Sequence, residues 1–301
     1  MKKIISFIKK NKIGNIKENV SLSKYTTYKV GGIAKVMVFP KTEEKLILLI
    51  EKLKEENIKY KVIGYGSNLI FSDNVYDGVI IRLDEFDDVK VNDTIITAES
   101  GVSLIKLSYR ALKEGLTGLE FASGIPGTIG GAVFMNAGAY KSDMGYIVSE
   151  VKVLTPDLKV KTLYNKDMKY KYRTSFLKDN PDYICLSCKI VLMHGDKKAI
   201  KELMESRRQK RLLTQPLEYP SAGSVFRNPE GDFAGRLIEE AGLKGYKIGG
   251  ACVSRKHANF IVNENNASAT DIKNLIDFVH NKVKDNTDVD LKIEQEFVNW
   301  E

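Results

Sequence analysis

A short glycine-rich segment at 64–68 is the first place where residue types and spacing suggest chemistry. It reads Gly-Tyr-Gly-Ser-Asn and directly follows a predicted strand over 60–63. Backbone N–H groups in such a loop can converge on an oxyanion, and the serine and asparagine add side-chain donors. Leu69 stands where the dinucleotide fingerprint GxGxxG needs glycine, and no Gly-Lys-Ser/Thr follows as in a Walker loop. Phosphate binding is one interpretation, and a turn without a chemical role is the other.

A second glycine-rich segment runs from Ser123 to Ala139 and carries few polar side chains. Glycine lets the backbone approach a ligand closely, and the apolar positions suit a flat, hydrophobic ring system. A buried, close-packed turn is the alternative interpretation. Two such segments in one chain together favour one long ligand with a diphosphate at its middle, which is the shape of a dinucleotide cofactor.

Composition limits the classes of protein that the chain can belong to. Its 301 residues are 43% hydrophobic and 29% charged, which excludes a mainly disordered chain and a membrane bundle. The net charge of +8 favours an anionic partner. The densest basic run, 207–211, lacks interleaved aromatic residues, so we interpret it as a solvated helix face and expect no nucleic-acid partner.

Cysteine content and the N-terminus predict a cytoplasmic protein without a membrane partner. Three cysteines are too few for a disulfide framework, and the charge-interrupted N-terminus does not resemble a signal peptide. Cys185 and Cys188 form a CxxC pattern inside a predicted strand, where positions i and i+3 point to opposite faces. We therefore expect no metal site.

The hydrophobic periodicity predicts alternating strands and helices, with a long charged helix over about 197–213 as a connector. Thr42 is expected to cap one helix, Gly115 to end another, and Ser268 with Asp271 to form a capping box. Strands are also predicted over 224–227 and along the alternating segment 289–294. The fold class is α+β, with predicted domains at 1–85, 86–200 and 201–301.

Several motifs resemble one family of bacterial flavoenzymes. Gly64 to Asn68, Gly124 to Gly131 and Asn136 to Gly138 look like the two FAD-binding segments of the UDP-N-acetylenolpyruvoylglucosamine reductases. The likeness continues through Tyr-Arg-Thr-Ser-Phe at 172–176, Pro-Ser-Ala-Gly-Ser-Val-Phe-Arg-Asn-Pro at 220–229, and motifs near 257–263 and 291–294. These motifs run in the family's order and span the chain from about residue 26 to residue 296.

The resemblance implies a vanillyl-alcohol-oxidase (PCMH) type of FAD-binding fold in two subdomains, followed by a C-terminal α+β substrate domain. It implies FAD as cofactor, with NADPH and a UDP-sugar as the small-molecule partners of a monomer or weak oligomer. The implied cofactor-binding residues are Tyr28, Gly64, Tyr65, Gly66, Ser67, Asn68, Leu69, Ser123, Gly124, Ile125, Pro126, Gly130, Gly131, Asn136, Ala137 and Gly138.

The resemblance also implies an activity: NADPH-dependent reduction of the enol ether of UDP-N-acetylglucosamine enolpyruvate to UDP-N-acetylmuramate, a peptidoglycan precursor. Arg173 occupies the family position that binds the substrate carboxylate, a role that suits a bidentate, permanently charged side chain. Ser224 occupies the position of the proton donor, and Glu294 that of the carboxyl group that stabilises the developing enolate. Asn228 and Arg227 occupy substrate-binding positions.

Each of these residues also has an ordinary structural interpretation. On spacing alone, Arg173 would be a surface charge, Ser224 a turn serine, and Glu294 part of a solvated strand face. The sequence also departs from the family's pattern at Tyr65, where glycine is usual, and at Glu296, where arginine is usual. An alternative function is an FAD-dependent sugar or alcohol oxidase of the same fold, although no histidine lies in either glycine-rich segment for covalent flavin attachment.

Overall fold

The computed structural model describes residues 1–300, which form two compact units. The first unit comprises residues 1–18, 35–65 and 77–209, and the second comprises 19–34, 66–76 and the chain from 210 onward. This division differs from the predicted contiguous domains, because two N-terminal segments belong with the C-terminal residues. The contacts responsible join residues more than 200 positions apart, such as the parallel pairing of 69–71 with 296–298, and local periodicity carries no signal for them.

The helices and strands alternate along most of the chain. The α-helices are α1 (Lys2–Lys10), α2 (Glu43–Glu55), α3 (Leu104–Glu114), α4 (Ile129–Met135), α5 (Phe176–Asp179), α6 (Lys197–Thr214), α7 (Ala234–Glu240) and α8 (Ala269–Thr287). The strands are β1 (Gly14–Ser21), β2 (Ile33–Pro40), β3 (Tyr60–Ile63), β4 (Leu69–Phe71), β5 (Tyr76–Arg82), β6 (Val89–Asn92), β7 (Ile95–Glu99), β8 (Leu116–Thr117), β9 (Gly138–Ala139), β10 (Ser142–Asp143), β11 (Val148–Leu154), β12 (Val160–Tyr164), β13 (Ile184–Val191), β14 (Met193–His194), β15 (Lys247–Ile248), β16 (Ala251–Val253), β17 (Ile261–Asn263) and β18 (Glu296–Val298). Short 3₁₀ helices span Leu22–Tyr25, Glu120–Ala122, Met144–Tyr146 and Asn165–Met168.

The first unit is built on two sheets, each with its own hydrophobic core. One sheet has the strand order β1-β2-β5-β3, and the other has the order β12-β11-β13-β7-β6. Most of the first core comes from residues 4–86, and the second comes from residues 96–192.

The predicted helix ends are confirmed where local chemistry determines them. Thr42 caps α2 by accepting a hydrogen bond from the Lys45 N–H at 3.3 Å, and Gly115 ends α3 in the left-handed region with φ of +73°. Ser268 and Asp271 form the predicted capping box at the start of α8. Residues within three positions of a helix end fix these boundaries, through side-chain caps or through glycine's left-handed backbone, so the sequence reveals them.

The prediction that Cys185 and Cys188 point to opposite faces is wrong. In the pairing of β13 with β11, Ser187 lies opposite Lys152 while Cys185 lies opposite Val153, so Leu186 is an extra residue on β13. This β-bulge breaks the two-residue alternation. Both cysteines therefore face the same core, where burial raises the pKa of the Cys185 thiol to about 12.

The second unit contains the three-stranded sheet β15-β16-β17 and the parallel pair of β4 with β18. Helices α7 and α8 pack on its core, together with Tyr28 and Ile70 from the two N-terminal segments. Leu291 is buried there, with Val289 and Ile293 packed beside it, as the alternation in this segment predicts.

The strands predicted over 224–227 and 289–294 are not formed. The two segments instead meet at a single bridge, Phe226 with Ile293, and the last strand begins only at Glu296. Two backbone hydrogen bonds join Val225 to Glu294 and Arg227 to Lys292, and the Asn259 side chain takes both backbone groups of Phe226, so the pairing does not extend into a ladder. No helix within residues 1–300 combines the length and the apolarity needed to span a membrane.

Candidate active site

The two glycine-rich segments meet in the first unit. A Cβ atom added to Gly64 would lie 2.5 Å from the Thr128 Oγ1 atom, closer than any real Cβ contact, so only glycine fits there. Thr128 caps α4, because its hydroxyl accepts a hydrogen bond from the Gly131 N–H at 3.3 Å. Thr128 is not among the site residues predicted from the sequence. Its position before two glycines and an apolar run was a usable N-cap signal.

The glycines leave room that side chains would fill. A Cβ on Gly130 would lie 3.0 Å from the Ser100 Cβ atom, whereas Gly131 is exposed and its Cβ would have space. The Ser100 hydroxyl is buried beside Gly130 and, within residues 1–300, has no hydrogen-bond partner. An open backbone surface at the start of a helix, next to a hydroxyl that lacks a partner, fits a ligand that carries phosphate oxygens.

Asn136 joins the end of the second glycine-rich segment to the segment that carries Arg173. It ends α4 in the left-handed region with φ of +45°. Its side-chain amide donates to the Lys171 carbonyl at 2.9 Å, and its Oδ1 atom accepts from the Gly145 N–H at 2.8 Å. The side chain of Asn136 therefore links the main chain at Gly145 to the main chain at Lys171.

Arg173 lies directly against this segment. Its Nη2 atom donates to the Gly138 carbonyl at 2.8 Å, and its guanidinium lies 5.0 Å from the centre of the Tyr172 ring. The Arg173 backbone has φ of +55°, in the left-handed region that costs a non-glycine residue roughly 1 kcal/mol or more. Reciprocal hydrogen bonds between Lys171 and Thr174 hold this turn closed. Arg173 is thus a half-buried residue held in a strained turn, unlike an ordinary surface charge.

The remaining residues predicted in the first unit lie along these same segments. The Ser123 hydroxyl donates to the Glu120 carbonyl at 2.9 Å, and the Ile125 N–H donates to the Ala122 carbonyl. Tyr65 keeps its backbone outside the left-handed region, and the Arg82 guanidinium lies 5.6 Å from the centre of its ring. A tyrosine at the usual glycine position is therefore accommodated without backbone strain. Gly124, Pro126 and Ala137 belong to the same run between Ser123 and Ala139.

The second unit contains the other half of the first glycine-rich segment. Gly66 has φ of +65°, and a Cβ there would lie 2.3 Å from the Tyr25 carbonyl oxygen. Ser67 follows, and Leu69 begins β4 opposite Glu296. Asn68 donates from its side-chain amide to the Glu294 carbonyl at 3.2 Å. A residue predicted to bind the cofactor therefore contacts the main chain of a residue predicted to be catalytic.

Ser224 and Glu294 lie on neighbouring segments of this unit. The Glu294 N–H donates to the Val225 carbonyl at 2.8 Å, and the Arg227 N–H donates to the Lys292 carbonyl at the same distance. Both Ser224 and Glu294 are half-buried, although the neighbouring Lys292 is exposed. The interpretation of Glu294 as part of a solvated strand face is therefore wrong. The structure brings these two predicted residues together.

The Asn259 side chain forms with Phe226 the two hydrogen bonds that the backbone of a neighbouring strand would form. It is buried, its Oδ1 atom accepts from the Phe226 N–H at 2.9 Å, and its amide donates to the Phe226 carbonyl at 2.8 Å. The His257 Nδ1 atom in turn accepts from the Asn259 N–H at 3.2 Å. Burial lowers the pKa of His257, which favours the neutral ring that this acceptor role requires.

The predicted substrate-binding residues follow Ser224 on the same segment. Asn228 is exposed, and its Oδ1 atom accepts from the Ala234 N–H at 3.1 Å at the start of α7. Arg227 is half-buried and is held through its main chain by Lys292.

Tyr28, a predicted cofactor-binding residue, is fully buried, and its hydroxyl donates to the Gln295 Oε1 atom at 3.1 Å. Gln295 is not among the residues predicted from the sequence.

Comparisons with known proteins show which family the chain resembles. Residues 215–298 match the family model described as "UDP-N-acetylenolpyruvoylglucosamine reductase, C-terminal domain", and residues 34–164 match "FAD binding domain". The chain is 44% identical over 299 residues to the UDP-N-acetylenolpyruvoylglucosamine reductase of Anoxybacillus flavithermus, covering 99% of each chain. It is 41% identical to the Bacillus subtilis enzyme of the same name, also over 99% of each.

The chain belongs to the UDP-N-acetylenolpyruvoylglucosamine reductase family. The crystal structure of the reductase from Thermus caldophilus superposes with a TM-score of 0.81 at 33% identity, covering 94% of this chain and 98% of that one. A glucose dehydrogenase, Phl p 4.0202, shares only the fold, with a TM-score of 0.51 at 13% identity over 65% of this chain and 44% of that one. The expected fold class and the expected FAD cofactor of this reductase are thereby confirmed.

Proposed function

We propose that this chain, an FAD-dependent oxidoreductase of the reductase family, reduces UDP-N-acetylglucosamine enolpyruvate to UDP-N-acetylmuramate with electrons from NADPH. The observation that best supports the proposal is the contact of Asn68, in the predicted flavin segment, with Glu294, whose own N–H is bonded to the residue after Ser224. One small region of the second unit thus holds the predicted cofactor segment, proton donor and carboxylate.

The residues of the first unit would hold the cofactor and the substrate carboxylate. Gly64, Gly130 and Gly131 offer backbone without side chains, and the start of α4 favours the negative charge of a diphosphate. When bound, the flavin supplies the hydride that is added to the methylene carbon of the enolpyruvyl group. Arg173 binds the substrate carboxylate and stabilises the negative charge that builds there as the double bond is reduced.

The residues of the second unit would complete the reduction. When the new C–H bond forms at the methylene carbon, the electron pair of the C=C bond is left on the neighbouring carbon and its carboxylate. The Ser224 hydroxyl gives its proton to that neighbouring carbon, and the serine later regains a proton from water. Glu294 lies beside Ser224 on the paired segment and stabilises the developing enolate. Arg227 and Asn228 bind the remainder of the UDP-sugar.

Further expectations about the working enzyme follow from the sequence. We propose that it acts in the cytoplasm, because its cysteine content suits a reducing compartment, and that it is a monomer or weak oligomer. Its partners are then the small molecules NADPH and the UDP-sugar.

An anaerobic titration tests the proposed reaction against the oxidase alternative. We expect NADPH to bleach the flavin absorbance, and the enolpyruvyl UDP-sugar to restore it with formation of a product that carries two additional hydrogen atoms. Free sugars and alcohols, tested as reductants of the oxidised flavin, should leave its absorbance unchanged. Bleaching by a sugar or alcohol, with no reoxidation by the enolpyruvyl UDP-sugar, would instead identify an oxidase or dehydrogenase of the same fold.

A further inference from the structure

Gln295 is a buried amide that is connected to the Ser224 segment by several hydrogen bonds. Its side chain lies in the core of the second unit and is only 4% exposed. The Nε2 atom donates to the carbonyls of Ala222, Gly223 and Ser224, at 3.1, 3.3 and 3.4 Å. One side chain therefore holds three consecutive carbonyl groups.

Tyr28 determines which way this amide points. Its hydroxyl donates to the Gln295 Oε1 atom at 3.1 Å, and burial raises the pKa of Tyr28, so the phenol keeps the proton that it donates. Rotating the amide by half a turn would place its carbonyl oxygen against three other carbonyl oxygens. The Tyr28 carbonyl is itself held by the Asn263 amide at 3.1 Å, so the tyrosine is anchored at both ends.

The segment that Gln295 holds turns at a glycine between two buried core residues, Ala222 and Val225. Gly223 has φ of +76°, and no atom lies within 4 Å of the place where its Cβ would be. The main chain at Gly223, just before Ser224, is thus left-handed, and the space where a side chain would lie is empty of protein atoms. Hydrogen bonds from Gln295 restrain the carbonyl side of this turn, and the bond from the Val225 N–H to the Asn259 carbonyl restrains the residue that follows Ser224.

We propose that Gln295 is a positioning residue for the reduction, and that the Tyr28–Gln295 pair fixes the main chain at 222–224 and so the place of the Ser224 hydroxyl. This inference rests on the proposed role of Ser224 as proton donor. A proton donor acts efficiently only when it is held within hydrogen-bond reach of the carbon it protonates. Gln295 acts through Ser224, because its amide is bonded to main-chain carbonyls of the Ser224 segment and to the Tyr28 hydroxyl.

Rapid-mixing kinetics on the FAD-bound enzyme test the proposal. Gln295→Met keeps the length of the side chain and removes the amide. We expect it to slow reoxidation of the reduced flavin by the enolpyruvyl UDP-sugar about tenfold, because a small misplacement of a catalytic group has effects of this size or larger. Bleaching by NADPH should stay within about twofold of wild type, because bleaching needs no proton from Ser224. Tyr28→Phe should slow reoxidation less, by about threefold, since only the orientation of the amide is lost.

A control and a double variant separate positioning from general destabilisation. Gln209→Met is the matched control, because the Gln209 amide donates to Glu205, four residues earlier on α6, and both half-reactions should be unchanged. In a Ser224→Ala background, Gln295→Met should cause no further slowing, since the group that it positions is already gone. If the Gln295 variant fails to fold, the reoxidation rate of Tyr28→Phe tests the same contact, with the FAD content of that variant measured first because Tyr28 is also a predicted cofactor-binding residue.

Two results would overturn the proposal. One is reoxidation at the wild-type rate in Gln295→Met, and the other is equal slowing of both half-reactions. If Ser224→Ala is slow while Gln295→Met is normal, only the positioning role fails. If Ser224→Ala reacts at the wild-type rate, the proposed proton donor fails, and the role of Gln295 fails with it.

Discussion

Replacing Ser224 with alanine is expected to slow reoxidation of the reduced flavin by the enolpyruvyl UDP-sugar by roughly 100-fold or more, the usual contribution of a positioned general acid. Flavin bleaching by NADPH should remain close to wild type, because the electrons reach the flavin without a proton from this serine. Rapid mixing with absorbance detection measures the two half-reactions separately.

The neighbouring Ser221 provides a matched control on the same segment. Ser221→Ala removes a half-buried hydroxyl three residues earlier and should leave both half-reactions unchanged. Deuterium should also be incorporated at the carbon next to the carboxylate when wild-type enzyme turns over in heavy water. Equal slowing of both half-reactions in Ser224→Ala would show that this serine supports the structure and does not donate the proton.

Replacing Arg173 with alanine is expected to lower the rate of the second half-reaction by about 100- to 1,000-fold, comparable to the loss of one strong donor to a developing anion. The guanidinium is proposed to bind the substrate carboxylate, where negative charge increases as the double bond is reduced. Arg173→Lys should retain part of the activity, because the charge is kept. It should not restore all of it, because the planar guanidinium, which binds a carboxylate through two parallel hydrogen bonds, is lost. Stopped-flow reoxidation at several substrate concentrations separates the loss of binding from the loss of rate.

The strained backbone of Arg173 allows a further control. Its φ of +55° disfavours alanine and suits glycine. If Arg173→Ala is slow because the guanidinium charge is lost, Arg173→Gly should be equally slow. If Arg173→Ala is slow because alanine distorts the left-handed turn, the glycine variant should recover much of the activity. Lys169→Ala tests a nearby exposed cation that also has a left-handed backbone, φ of +47°, and should react normally. Wild-type kinetics in Arg173→Ala would contradict the assignment.

The local chemistry of this chain could be predicted from its sequence, and its long-range pairing could not. Thr42, Gly115 and Ser268 mark helix ends through interactions that reach only a few residues along the chain. The glycine-rich segments were visible because glycine at close spacing has few uses other than tight turns and close backbone approach. The motif resemblance then supplied roles for Arg173 and Ser224 that neither spacing nor composition contains.

The parts that were missed depend on partners far away in the chain. The bulge at Leu186 requires the register of β11 against β13, so the shared face of Cys185 and Cys188 could not be read from an alternating pattern. The segment 224–227 resembles a strand, but the Asn259 side chain takes the place of a neighbouring strand. Gln295 seemed unremarkable in the sequence because its partners, Tyr28 and residues 222–224, lie 267 and 71–73 positions away.

The visible absorption spectrum of the purified protein tests most directly the claim that the two glycine-rich segments form one flavin site. We expect the bands of an oxidised flavin, with FAD released on denaturation in an equimolar amount. Gly64→Ala should carry much less FAD, because its Cβ would collide with Thr128, whereas Gly235→Ala on α7 has space for its Cβ and should carry the wild-type amount. A colourless wild-type protein that added FAD cannot reconstitute, or a Gly64→Ala variant with full FAD content, would contradict the account.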